Sequence, residues 1–212
     1  MSQEERFQAE LEAKKVDAES MVSLILTDLN LIDRVLQELS NKVPRVKFAC
    51  SKSLLLLSER CPDLLYTRIE KVFELLESGN QILKWNAIAM LGNLAAVDRN
   101  RRIRRVLRKF YQFLSGGELI TANNTISALA KIGCAFPEEQ GRITSRLFGI
   151  EHAVFDTDEC RNIAIGKSIL AMEMFVNPVK VRKEVLEFVR RQTENKRKAT
   201  ANKAKAFMRK YE

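Results

Sequence analysis

One pattern returns along this chain at an almost fixed interval. Residues 83–95 (LKWNAIAMLGNLA) set Leu83, Ala87, Met90, Leu91 and Leu94 at the i, i+4, i+7, i+8, i+11 spacing of a helix with one buried face. Ala87 and Gly92 are small, and small residues on such a face let a neighbouring helix approach closely. The order apolar, basic, small, Leu fits again at Val46, Lys47, Cys50, Leu54 and Leu57. It fits at Ala122 with Asn123 in the basic place, and at Cys160 and Arg161 with the later apolar positions shifted by one or two. The four starts, at 46, 83, 122 and 160, lie 37, 39 and 38 residues apart. A period of this length belongs to stacked helical hairpins, each burying its apolar face on the next. With only 8 Gly and 4 Pro, and no Val/Ile/Thr alternation of strand type, the class is all-α.

The frame around residues 46 and 83 resembles the second, or B, helix of a HEAT repeat, in the HEAT/armadillo group of helical repeat proteins. The resemblance covers about residues 28–193. It implies a right-handed α-α superhelix, a solenoid of about four to five hairpins, with residues 1–27 as N-terminal capping helix or helices and 194–212 as a basic C-terminal helix or tail. HEAT arrays are mostly binding scaffolds whose B helices line the concave surface. The resemblance therefore implies a protein or peptide partner.

Local signals place the elements. Residues 3–15 read as a charged helix with a thin stripe of Phe7 and Leu11. Residues 21–39 read as one bent helix or two short ones, breaking near 27–30. Pro44 suits the first turn of the next helix, which runs to about 60, and Cys61-Pro62-Asp63 is a stop and restart. One apolar face then continues from Leu65 to Leu76, with Gly79 as a left-handed C-cap candidate. Asp98 and Asn100 are N-cap candidates for a helix over 100–114. Ser115-Gly116-Gly117 turns the chain, and a helix over 118–132 ends at Gly133. Another helix follows Phe136-Pro137 and reaches about 154. The segment 156–159 resembles a capping box opened by Asp156. Asn177 and Pro178 read as N-cap and first turn of a helix over 178–193. The last helix, 197–211, carries only Phe207, Met208, Tyr211 and small alanines as apolar residues, and reads as a terminal cap or a partly disordered tail.

The four cysteines, Cys50, Cys61, Cys134 and Cys160, are dispersed without a CxxC pair, and the only histidine is His152. That excludes a zinc-binding pattern and predicts reduced thiols, three of them at or beside buried helix positions, in a cytoplasmic protein. The N-terminus lacks an apolar run of signal type, and no window reaches the ~20 apolar residues of a membrane span. There is no GxSxG, no Gly-rich phosphate loop, no HExxH and no cysteine paired by spacing with a histidine, so neither an enzyme nor a cofactor is expected.

The net charge of +9 is local. Residues 178–212 carry +8 and residues 99–109 carry +7, which leaves −6 for the rest of the chain. Three sets of residues follow as candidates. Lys47, Lys84, Asn123 and Arg161 stand at the start of each B helix; they form either a polar ladder between repeats or a basic stripe for an acidic or phosphorylated partner. Phe48 and Trp85 stand beside the two lysines, as inter-repeat packing or as aromatic anchors for a peptide. Arg99, Arg101, Arg102, Arg104, Arg105, Arg108 and Lys109 surround a helix of the convex side. Glu70, Glu74 and Glu77 are candidate acids for them, and an anionic partner, nucleic acid included, is the other outlet. The basic tail from Lys196 to Lys210 raises the same possibility. A group of alkylpurine DNA glycosylases is also built from HEAT-like repeats with a basic concave face. That family's catalytic acid and aromatic pocket have no counterpart here.

Overall fold

Each period of the sequence folds as a pair of helices. The computed structural model describes residues 2–175 and 183–212, and the chain divides into two units, Met1–Asn100 and Arg101–Glu212. No strand occurs among the described residues.

The first unit contains α1 (Gln3–Glu12), α2 (Ala18–Thr27), α3 (Leu31–Glu38), α4 (Pro44–Arg60), α5 (Pro62–Tyr66), α6 (Ile69–Leu75) and α7 (Gln81–Leu94). A capping box starts α1, in which the Ser2 hydroxyl accepts from the Glu5 N–H while the Glu5 carboxylate accepts from the Ser2 N–H. Phe7 and Leu11 are buried. The apolar run over 21–39 is two helices, because Asp28 leaves helical geometry and its side chain accepts from the Asn30 N–H. The second of each pair, α2, α4 and α7, pack side by side, with α4 between the others, while α3 and α6 pack on α4 and α7. Val46, Cys50, Leu54 and Leu57 of α4 and Leu83, Ala87, Met90, Leu91 and Leu94 of α7 are buried. The recurring frame is thus the core face of each B helix.

Ion pairs tie successive pairs together on their outer sides. Arg34 meets Glu4 at 3.2 Å, Arg60 makes two bonds to Glu19 at 2.6 and 2.7 Å, and Arg68 makes two to Asp33 at 3.1 and 2.8 Å. Arg68 is half-buried and the other partners are exposed, so each pair contributes about 0–1 kcal/mol and serves register more than stability.

The second unit opens on a 3₁₀ turn (Arg102–Val106), followed by α8 (Leu107–Phe113), α9 (Leu119–Ala135), α10 (Gln140–Phe148), α11 (Asp158–Phe175), α12 (Lys183–Arg191) and α13 (Lys198–Tyr211). The B helices α9, α11 and α13 stack with α11 in the middle, and α8, α10 and α12 pack against them. The basic terminal segment is an ordered sixth B helix, with Ala204, Phe207 and Met208 buried and the tilted rings of Phe207 and Tyr211 4.5 Å apart between centroids.

Several boundaries differ from the sequence expectation. The face from Leu65 to Leu76 is split at Thr67-Arg68 into α5 and α6. Gly79 is not left-handed; among the glycines only Gly117 has positive φ, at 84°, where it completes the turn before α9. The helix expected over 100–114 becomes α-helical only at Leu107, because arginines in its first turns oppose the positive end of the helix dipole. Arg101 stands at the N-cap of the 3₁₀ turn that opens the segment. Asp98 is buried and accepts from the Tyr66 hydroxyl at 2.6 Å, closing the third helix pair of the first unit. Arg101 adopts φ 57°, ψ 28°. Helix α9 runs through Gly133, which is interior to it: a Cβ there would lie 2.8 Å from the Phe175 ring of α11. Thr157, not Asp156, caps α11, its hydroxyl accepting from the Cys160 N–H at 3.1 Å. Of the cysteines only Cys50 is buried; Cys61 and Cys160 are half-buried and Cys134 is exposed. The expected cap Asn177-Pro178 lies outside the described residues.

Candidate partner-binding surface

The buried frame leaves the opposite side of each B helix uncovered. In the first unit that side carries Phe48, Leu55 and Leu56 on α4, and Ile82, Trp85 and Ala89 on α7. Phe48 and Trp85 occupy the same position of adjacent helices, and each is half-buried: their rings lie partly on the helix layer and partly open. Lys47 and Lys84 precede them and are likewise half-buried. Ile82 is 40% exposed and Leu26 of α2 is 49% exposed, adding apolar surface that the sequence pattern does not single out.

Two buried or half-buried polar contacts hold α4 and α7 in register. Asn86 donates to the Ser51 hydroxyl and Asn93 to the Ser58 hydroxyl, both at 2.8 Å. Ser51 and Ser58 are buried, so these bonds satisfy polar groups that would otherwise cost about 1–3 kcal/mol each. The Ser58 hydroxyl in turn donates to the Leu55 carbonyl. The signal for them in the sequence is the pair of Asn and the pair of Ser, each seven apart on helices of one frame.

Among the described residues, the four at the B-helix starts do not form a ladder between repeats. Arg161 pairs with Asp158 of its own helix. Asn123 is half-buried, and its Oδ1 is shielded from solvent without a hydrogen-bond partner. The inter-repeat ties of the second unit come instead from Arg191 to Glu151 at 2.8 Å, Arg197 to Glu159 at 2.7 Å and Lys210 to Glu173 at 2.9 Å. Two residues of the expected tail patch, Arg197 and Lys210, are therefore engaged in packing α13 on α11.

The arginine cluster is partly spent within its own unit. The Arg101 guanidinium meets Glu138 at 2.9 Å and lies 4.3 Å from the Phe136 ring centroid. A hydrogen bond from the Glu138 backbone N–H, and after it the Arg101 charge, hold the Glu138 carboxyl below its ordinary pKa. Arg104 and Arg142 both pair with Glu139, which is 2% exposed. These carboxylates stand at the head of the following helix pair. Glu74, one of the acids expected to serve the cluster, pairs with Lys71 at 3.1 Å. Arg105 is exposed, Lys109 sits 5.8 Å from the Phe113 ring, and Arg108 is exposed without an ion pair among the described residues.

Among the described residues, no group of three or more His, Cys, Asp or Glu side chains comes together to hold a metal, and no helix is long and apolar enough to cross a membrane. Burial, with the nearby Glu38 carboxylate, pushes the Cys50 thiol up to about 12, which keeps it protonated and unreactive. A small pocket of about 170 Å³ lies beside Tyr111, whose hydroxyl is buried without a partner and whose pKa is raised by burial and by the Glu139 charge. Arg146 covers the Tyr111 ring at 5.3 Å.

No protein-family profile and no curated protein sequence matches this chain. Solved structures do. An engineered protein, structural-genomics target OR329, is similar with a TM-score of 0.61 and 13% identity over 92% of this chain and 86% of that one. The designed armadillo repeat protein YIII(Dq)4CqI is similar with a TM-score of 0.61 and 14% identity over 96% of this chain and 91% of that one. The chain has the all-helical α-α solenoid fold of armadillo/HEAT-type repeats.

Proposed function

We propose that this protein is a non-catalytic, cytoplasmic protein-binding scaffold, and that its first unit takes up a polypeptide on the uncovered, concave side of its B helices. The observation that carries this reading is the repeated half-buried aromatic: Phe48 on α4 and Trp85 on α7, flanked by Lys47 and Lys84. Aromatic side chains that already lie on a rigid surface lose little conformational freedom on binding and dominate interface energetics. The Asn86–Ser51 and Asn93–Ser58 bonds support it, because they fix the spacing between the two rings. In the second unit Asn123 and Arg161 belong to the same proposal.

Nucleic-acid binding through Arg101, Arg104, Arg105, Arg108 and Lys109 is the weaker proposal, since Glu138 and Glu139 neutralise part of that patch. The test is a pull-down with wild-type protein and with Phe48→Ala/Trp85→Ala, checked for retained helical circular dichroism. A partner recovered by the wild type and lost with the folded double variant supports the proposal. Equal recovery by both removes it.

A further inference from the structure

A small cleft opens in the second unit on the first helices of two successive pairs, away from the B helices. Its volume is about 170 Å³, and it lies between the end of α8, α10 and the 3₁₀ turn Gly149–His152. Leu114, Ile150 and Ala153 are buried and give it an apolar floor, and Tyr111 forms a wall. Gly149 borders free space, since a Cβ there would meet nothing within 4 Å. Ser115, Ser145 and Arg146 are exposed and stand at the rim. The Arg146 guanidinium lies 5.3 Å from the Tyr111 ring centroid, a cation–π distance that holds it over the wall.

The charge on Arg146 is uncompensated. Arg142, one turn earlier on α10, joins Arg104 on the Glu139 carboxylate, whereas Arg146 has no ion pair among the described residues. The Ser145 hydroxyl likewise makes no hydrogen bond among them, and Ser115 donates to the Gln112 carbonyl at 3.3 Å. The Tyr111 hydroxyl is shielded from solvent without a hydrogen-bond partner, and burial, then the Glu139 charge, raise its pKa. It stays a neutral phenol and sets no negative charge against an anion, while two arginines cover the charge of Glu139.

We propose that this cleft binds a small monocarboxylate with an aromatic or branched aliphatic body. The body rests on Leu114, Ile150 and Ala153, and the carboxylate meets Arg146, with Ser145 as the second donor. A guanidinium presents paired N–H groups that match the two oxygens of a carboxylate. Size sets the upper limit: a cavity of about 150 Å³ takes one benzene ring, whereas drug-sized ligands need about 300–1,000 Å³. A nucleotide is too large, and inorganic phosphate would leave the apolar floor unused. Neither the uncovered side of the B helices nor any first-unit residue takes part, so failure of the scaffold reading would leave this site untouched.

The test is a titration of the full, isotope-labelled chain with sodium benzoate and with 4-methylpentanoate, followed through backbone amide NMR shifts. Saturable shifts confined to residues 111–115 and 145–153, with half-saturation on the order of 1 mM, are the expected result. Benzyl alcohol, which keeps the ring, and acetate, which keeps the charge, should each bind at least fivefold more weakly than benzoate. Arg146→Gln should weaken benzoate binding at least fivefold with an unchanged thermal midpoint. Arg108→Gln, an exposed position of the same unit outside the cleft, should change it less than twofold. Phe48→Ala/Trp85→Ala should leave it as in wild type. Shifts that do not saturate, shifts spread over the basic surfaces, equal loss in both arginine variants, or inorganic phosphate binding as tightly as benzoate overturn the proposal. Tighter binding of a short peptide with a free C-terminal leucine than of either acid also overturns it, by moving the site from small acids to chain ends.

Discussion

Gly166→Ala is the most informative single change to the packing. In a helix interior alanine is favoured over glycine by about 1 kcal/mol, and a surface view of α11 would predict stabilisation. The structure predicts the opposite sign. The new methyl would lie 2.7 Å from the Thr200 hydroxyl and 3.4 Å from the Thr200 Cβ. The hydroxyl cannot simply turn away, because it donates to the Asn162 carbonyl at 2.7 Å and Thr200 is fully buried. Overpacking of this kind costs about 1–3 kcal/mol, and weakening the hydrogen bond about 1 kcal/mol more. After the gain in helix propensity the net loss is about 2 kcal/mol. For a chain of this size that is a fall in Tm of about 4–8 °C. Thermal and urea melts followed by circular dichroism measure it. Thr200→Ala removes the clashing oxygen, so the double variant should cost less than the two single changes together, by a coupling above about 0.5 kcal/mol. A Gly166→Ala protein that melts at or above the wild-type temperature would refute the close approach of α13 to α11.

Other consequences are as easily checked. Leu91→Asp puts a charge among fully buried residues and should abolish cooperative unfolding of the first unit, seen as loss of its thermal transition. Trp85→Ala, at a half-buried site, should cost about 2 kcal/mol, less than the 3–5 typical of a buried aromatic, by urea denaturation. With its thiol pushed up to about 12, Cys50 should resist a thiol reagent at pH 8 until the protein unfolds, whereas exposed Cys134 is modified in the native state, as peptide mass mapping would show. The hydrogen bond from Arg68 holds the Asp33 carboxyl below its ordinary pKa. The stability it confers is present above that ordinary value and is lost as pH falls through the lowered folded pKa, so Asp33→Asn should lose less stability than wild type on acidification below about pH 4.

The fold was legible because its determinant is periodic. Burial of Leu83, Ala87, Met90, Leu91 and Leu94 follows from their spacing alone, since a helix offers one face and the period dictates what that face meets. What could not be read were features set by the neighbouring helix. Gly133 and Gly166 look like stops or flaws in a helix, and only the ring of Phe175 and the hydroxyl of Thr200 explain them. Helix α13 has few large apolar residues, yet packs well because Ala201 and Ala204 let it come close. The arginine cluster finds acids at Glu138 and Glu139, contributed by the next helix pair, which no local rule identifies. Of the candidate binding surface, the sequence supplied Phe48 and Trp85 by their shared position; Ile82 and Leu26 emerge only once the uncovered side of each helix is known.

The two Asn–Ser bonds between α4 and α7 have a mechanical consequence. Seven residues of helix rise about 10 Å, so the joints act as two bolts through adjacent plates rather than one. One bolt would let the plates pivot; two resist both pivoting and axial slip, leaving flexure about the long axes as the compliant direction. The distance from one aromatic ring to the other is then a fixed gauge. For the polypeptide proposed to dock on these rings, anchoring side chains spaced wrongly by a residue would gain little from induced adjustment, and selectivity would rest on the length between anchors as much as on their chemistry.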